Sequence, residues 1–423
     1  MRSRLPAATR DAAEWTRRFA RTAPGILAAV AAILVIACLI SGLVCANQFN
    51  EKISRRDTVL GHTEPLADAA QRLYVALSAA DAAASSAFLS GGIESPTVRA
   101  QYRQALTDAA VALSEATTGA SDAETREIVA RISSELPTYT GLVEAARANN
   151  RQQLPVGAAY LRQASSLMQT SVLENAQELE QNRLTRLRAD QEDITAIPGT
   201  SLLTLLIVAT LCGYLSWVLL RRTNRRFNIG VLTAAGLTVL TLLWLSAATL
   251  AAAQSIDSGA HGATTRFETL AKARILAQQA RTEETLQLVT RGDLTESEKR
   301  FEARTGELRS AVTAATGDDS TAMRALTGWQ DGHRLEVAAY QGNDYQGAVS
   351  QSIGTGAGTS ATRFGVLDDT LRGELEAART DVRDGVDAAG DALTLSPWGA
   401  LVLLLAAASA VVIGVWPRLK EFL

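Results

Sequence analysis

The sequence predicts an all-α membrane protein with four transmembrane helices and two tandem extracytoplasmic four-helix bundles. Three observations predict it. Residues 22–50, 194–220, 227–256 and 392–417 contain no Asp, Glu, Lys or Arg over 26 to 30 residues each. Each stretch exceeds the roughly 20 apolar residues that cross a bilayer as helix. The tight arginine clusters all fall in the short segments flanking these stretches. The two long charged regions between them are rich in Ala and poor in Pro and aromatic runs, a composition that favours helix.

The expected order is a basic cytoplasmic N-terminus (1–22), transmembrane helix 1 (23–46), bundle 1 (47–197) and transmembrane helix 2 (198–220). A basic cytoplasmic connector (221–228) follows, then transmembrane helix 3 (229–252), bundle 2 (253–395), transmembrane helix 4 (396–416) and a cytoplasmic C-terminus (417–423). Orientation follows from Lys and Arg in the short segments. The two ends and the connector carry 12 basic and 3 acidic residues; the two large regions carry 29 basic and 41 acidic. Both ends are therefore expected in the cytoplasm of a multi-pass cell-membrane protein. The net charge of −3 hides this asymmetry, and lipid explains the basic side without nucleic acid.

Val35-Ile36-Ala37-Cys38 fits a loose lipoprotein-processing pattern, but the apolar run continues past Cys38, so the segment reads as a retained helix. Cys38, Cys45 and Cys212 all lie in or beside spans, which leaves no disulfide or zinc framework.

Within the first charged region Leu66, Leu73, Leu77, Ala80, Ala84 and Phe88 recur at helical spacing, as do Ile128, Ile132, Leu136, Tyr139 and Val143. Gly91-Gly92 stops one helix, Ser95-Pro96 starts the next, and Gly119 precedes a capping box in Ser121-Asp122-Ala123-Glu124. Glu64-Pro65 is expected to kink or restart the first helix. Four helices result, near 47–90, 96–117, 121–149 and 154–193.

The second region repeats the plan. Leu288-Val289-Thr290-Arg291-Gly292 parallels Phe88-Leu89-Ser90-Gly91-Gly92, and Tyr345-Gln346-Gly347-Ala348 parallels Pro155-Val156-Gly157-Ala158. Thr295 with Glu298 reads as a capping box. Internal duplication is the economical reading.

Catalytic chemistry is hard to find. His62, His261 and His333 have no ligand spacing. Gly354-Thr355-Gly356-Ala357-Gly358 suggests a phosphate loop but has no Lys after it, so a flexible or closely packed piece of helix is expected. No span carries an ionisable side chain, unlike most transporters. Gly230, Gly236, Thr238 and Thr241 can pack span helices closely. No enzyme, cofactor or metal is expected.

Three groups of residues are candidates for function. Asn149, Asn150, Arg151 and Gln152, with Arg291, Asn343 and Asp344, form polar turns suited to docking a partner; an ordinary polar loop is the plainer reading. Asp81 and its counterpart Arg281, close to Glu283 and Glu284, are candidate switch or ligand charges, with a satisfied internal pair as the plainer reading. Arg221, Arg222, Arg225 and Arg226 would touch anionic lipid or a cytoplasmic partner.

The layout is similar to the sensor domains of bacterial chemoreceptors. With Leu73-Tyr74-Val75-Ala76-Leu77-Ser78-Ala79-Ala80-Asp81-Ala82 and Leu154-Pro155-Val156-Gly157-Ala158-Ala159-Tyr160-Leu161, the chain resembles the actinobacterial GlnX-type membrane proteins. That resemblance implies a signal relay between an extracytoplasmic solute-binding lipoprotein, which senses aspartate or glutamate, and a soluble Ser/Thr kinase inside (protein kinase G). It supplies no binding residue. The competing expectation is a structural envelope scaffold or accessory subunit, and a homodimer is compatible with either.

Overall fold

The computed structural model describes residues 23–91, 96–223, 228–260, 262–290 and 294–420. Among them every regular element is helical. The chain divides into two compact units, one formed by residues 1–57, 191–256 and 386–423, the other by 58–190 and 257–385.

The first unit gathers α1 (Ala23–Thr58), α7 (Gly199–Thr223), α8 (Ile229–Ala260) and α14 (Ser396–Lys420). Each belongs to a helical stretch long and apolar enough to cross a membrane. Their shared core contains Leu34 and Cys38, Val208 and Cys212, Val231 and Ala234, and Ala407 and Val411. Ile36, Leu43, Leu206, Leu243 and Ile413 remain exposed on the outer faces. Helices apolar both inside and out suit lipid, since water would penalise the outer face.

Small residues set the closest approach. A Cβ on Gly230 would lie 2.3 Å from the Ala410 carbonyl oxygen and 2.6 Å from the Gly414 Cα. Asn228 caps the contact by donating to the Gly414 carbonyl at 2.9 Å. Gly236, expected to act alike, faces open space. Thr238 and Thr241 spend their hydroxyls on their own helix, bonding Ala234 and Leu237 carbonyls.

The second unit holds two helical regions. The first comprises α2 (Glu64–Leu89), α3 (Pro96–Thr118), α4 (Ala123–Arg151), α5 (Val156–Leu167) and α6 (Leu173–Thr195). The second comprises α9 (Ala263–Thr290), α10 (Thr295–Thr316), α11 (Thr321–Gln341), α12 (Tyr345–Ile353) and α13 (Ser360–Leu393). Each has its own apolar core. α2 packs along α9, and both regions belong to one compact unit. Tyr74 accepts from Gln279 at 2.5 Å across this seam, and Ile275 and Val289 join the first region's core.

Local chemistry explains the boundaries. A π-helical turn, Val59–Thr63, precedes α2, with Pro65 in its first turn. Proline has no N–H for the i−4 carbonyl, so the helix widens before it. Gly91 and Gly317 end α2 and α10 with φ of 84° and 83°, a conformation that a Cβ disfavours. The cap of α4 is Asp122 rather than Ser121: its carboxylate accepts from the Thr125 amide at 2.9 Å and pairs with Arg183. Charge explains the choice, because a carboxylate serves both the helix N-terminus and a buried guanidinium.

Thr295 and Glu298 form no capping box. Leu294 is the N-cap without a side-chain bond, and Glu298 is engaged elsewhere. Residues 354–359 also depart from expectation, breaking the helix between α12 and α13 instead of continuing it. The first region has only a π-helical turn, Met168–Val172, between α5 and α6.

Candidate functional site: a buried charged cluster in the second region

Four helices of the second region converge on one polar cluster. α9 supplies Arg281, Glu284 and Gln287; α10 supplies Glu298; α11 supplies Trp329, His333 and Glu336; α13 begins with Ser360. Residues 329, 333 and 336 share one face of α11 because they sit one turn apart. Gly332 permits the approach: a Cβ there would lie 2.9 Å from the Ser360 Cα. Glu284 and Glu336 have no solvent exposure at all.

Glu284 is held at both oxygens. Oε2 accepts from the Arg281 guanidinium and from Trp329 Nε1 at 3.1 Å. Oε1 faces His333 Nδ1 at 3.1 Å and accepts from the Ser360 hydroxyl. His333 Nε2 lies 3.2 Å from Glu298 Oε1, and the imidazole stacks on Phe301 with centroids 3.6 Å apart. Glu336 Oε1 accepts from Gln287 at 3.3 Å, whereas its Oε2 is buried without a hydrogen-bond partner.

Burial opposes every charge here, so the net state depends on the partners. For Glu284, burial pushes upward, but the Arg281 charge and the His333 contact outweigh it and hold the carboxyl low. His333 is pulled down by burial and raised more strongly by hydrogen bonds to Glu284 and Glu298, reaching about 10. Glu336 is driven well above the carboxylate range by burial and by the Glu284 charge. The cluster therefore balances two cations, Arg281 and imidazolium, against Glu284 and Glu298, with Glu336 as a neutral carboxyl.

The first region carries a simpler site. Asp81, fully buried on α2, accepts from the Ser165 hydroxyl at 2.6 Å and the Tyr139 hydroxyl at 3.3 Å. Burial raises it to about 6, against the lowering effect of hydrogen bonds from Ser165, Gln169 and Tyr139. A carboxyl pair lies between the regions: burial and then the Glu268 charge raise Glu180 to about 7, while Arg188 pairs with Glu268.

The expected charges thus sit in different settings. Arg281 is paired with Glu284 three residues on, and Asp81 is served by hydroxyls. Among the expected docking residues, Asn150 donates to the Phe88 carbonyl at 3.0 Å and Asn149 to the Ala145 carbonyl at 2.8 Å, so both hold the turn itself. Asp344 caps α12 through the Gly347 amide at 2.8 Å. Arg151, Gln152 and Asn343 are exposed. The two turns match in detail: Gln153 and Asn343 have φ of 57° and 64°, and Leu154 and Asp344 donate to the carbonyls of Asn149 and Ala339.

Arg221 lies over the Trp217 ring at 4.3 Å, and Arg222 belongs to the last turn of α7. Arg225, Arg226 and Arg291 lie outside the described residues. Glu298, His333 and Glu336 were not anticipated. The available signal was His333 and Glu336 three apart on a helix also bearing Trp329.

Residues 55–192 match the profile of a family described as an actinobacterial sensor domain. No curated protein and no solved structure matches the chain. The match covers the first region and supports an actinobacterial sensor-type protein with a sensing role; the four apolar helices are consistent with a membrane protein.

Proposed function

We propose that this protein is a non-enzymatic transmembrane signal relay. The observation that carries the reading is the coincidence of the sensor-domain match with a helical region flanked in the chain by two candidate spans. By charge, both helical regions would face outward and the Arg221–Arg226 connector inward. The two regions would descend from one duplicated unit.

Input would come from an amino-acid-binding lipoprotein docking on exposed turn residues such as Arg151, Gln152 and Asn343. Output would pass through the arginine-rich cytoplasmic segments to a soluble Ser/Thr kinase. Only a partner that binds two arrangements of the helices unequally can shift their equilibrium, so loaded and empty lipoprotein must differ in affinity. An ångström-scale slide or tilt of packed helices is sufficient for such a transition.

The test is photo-cross-linking from position 151 or 343 in intact cells, with and without aspartate or glutamate. Amino-acid-dependent capture of a solute-binding lipoprotein supports the relay. Capture that ignores the amino acid removes the sensing step, and recovery of cell-wall machinery alone favours the scaffold reading.

A further inference from the structure

Glu284, His333 and Glu336 each bring a possible donor atom into the core of the second region, and these atoms lie within 4.8 Å of one another. Some point then lies no more than about 2.8 Å from all three atoms, against about 2.0–2.2 Å for zinc bonded to imidazole nitrogen or carboxylate oxygen. Less than an ångström of contraction would close the set.

We propose that the second region binds a divalent transition-metal ion of the zinc class through Glu284, His333 and Glu336, the unpartnered Glu336 Oε2 being one donor. Binding releases the Nδ1 proton of His333 and the carboxyl proton of Glu336 to solvent, and the metal replaces the His333 contact at Glu284 Oε1, which the Ser360 hydroxyl also reaches. Three features beyond proximity support it. Glu336 Oε2 is fully buried and has no hydrogen-bond partner, a situation that costs about 1–3 kcal/mol unless something occupies it. The outer contacts orient each donor as protein metal sites do. Glu298 takes the far nitrogen of His333, Arg281 and Trp329 hold the far oxygen of Glu284, and Gln287 holds the far oxygen of Glu336. Finally, ligands projecting inward from facing helices, two of them three residues apart on one helix, form a known way of building metal sites in helical cores.

Mixed imidazole and carboxylate donors select an ion such as Zn²⁺ or Co²⁺ over Mg²⁺ or Ca²⁺, which favour all-oxygen shells. Arg281 does not forbid the ion, because it binds the Glu284 oxygen on the other side of the carboxylate. This inference is independent of the relay: a metal in the core and a lipoprotein on the turns are separate claims, and either can fail alone.

The test uses the full chain, purified in detergent with any histidine tag removed and treated with chelator. Titration with Zn²⁺ against a chromophoric competitor should show one site per chain. Co²⁺ should give visible absorption bands of a low-coordinate nitrogen–oxygen site and quench Trp329, whose indole touches Glu284. Glu336→Gln, which copies the shape of the protonated carboxyl, and His333→Gln should each weaken Zn²⁺ binding about 100-fold or more. Absence of stoichiometric Zn²⁺ uptake by the wild-type chain overturns the proposal, as does uptake that survives both substitutions.

Discussion

The two helical regions solve the problem of a buried charge in opposite ways. In the first, Asp81 is served by two hydroxyls and burial raises its carboxyl to about 6, so it carries a penalty whenever it is ionised. In the second, Glu284 is surrounded by Arg281, His333, Trp329 and Ser360 and stays ionised. The lesson is that a similar helical frame can hold either a proton-sensitive carboxyl or a fixed ionic cluster. Position 81 carries an acid and position 281 a base, and each is matched by its own surroundings.

This contrast can be broken most forcefully at Glu284. Glu284→Ala leaves a buried guanidinium and imidazole without their common anion and should destabilise the second region by about 3–5 kcal/mol. Thermal unfolding followed by Trp329 fluorescence reads the loss.

Asp81→Asn should act with the opposite sign. The Asp81 carboxyl is raised in the folded state, so the native form holds the proton more tightly than the unfolded chain. Wild-type stability then falls as pH rises from about 4 to about 6 and stays reduced above that. The Asn variant, free of that penalty, should be more stable by about 1–3 kcal/mol at pH 7.5, with the advantage vanishing below pH 4. Equal unfolding midpoints at both pH values would erase the distinction between the regions.

Glu180 sharpens the comparison at the seam. Its carboxyl is raised to about 7, so wild-type stability should decline between about pH 4.5 and pH 7. Glu180→Gln should remove that slope and add about 1–2 kcal/mol at pH 8, measured by the same unfolding assay. The smallest effect belongs to Arg151, exposed in its turn. Arg151→Ala should change stability by no more than about 0.5 kcal/mol while altering partner capture if the turn docks one.

Much of the frame was legible because periodic apolar residues and glycine stops are local signals. Gly91 and Gly317 end helices through their own φ angles, and Pro65 marks the π turn without help from distant residues. The cluster was less legible because Glu284 meets His333 and Ser360 across 49 and 76 residues of chain. Glu298 shows the difficulty best. Its spacing from Thr295 looked like a cap, a local rule, but a buried histidine offers a charged partner and won the side chain. The packing of α2 against α9 was likewise hidden, since an alanine-rich face gives no hint of which helix will cover it.

Native-state hydrogen exchange on the full chain at pH 7.5 tests the contrast most directly, by following peptides from α2 and α11 in wild type, Asp81→Asn and Glu284→Ala. Slower exchange in α2 for the first variant and faster exchange in α11 for the second is the predicted result. Both variants shifting their own region in the same direction would contradict it.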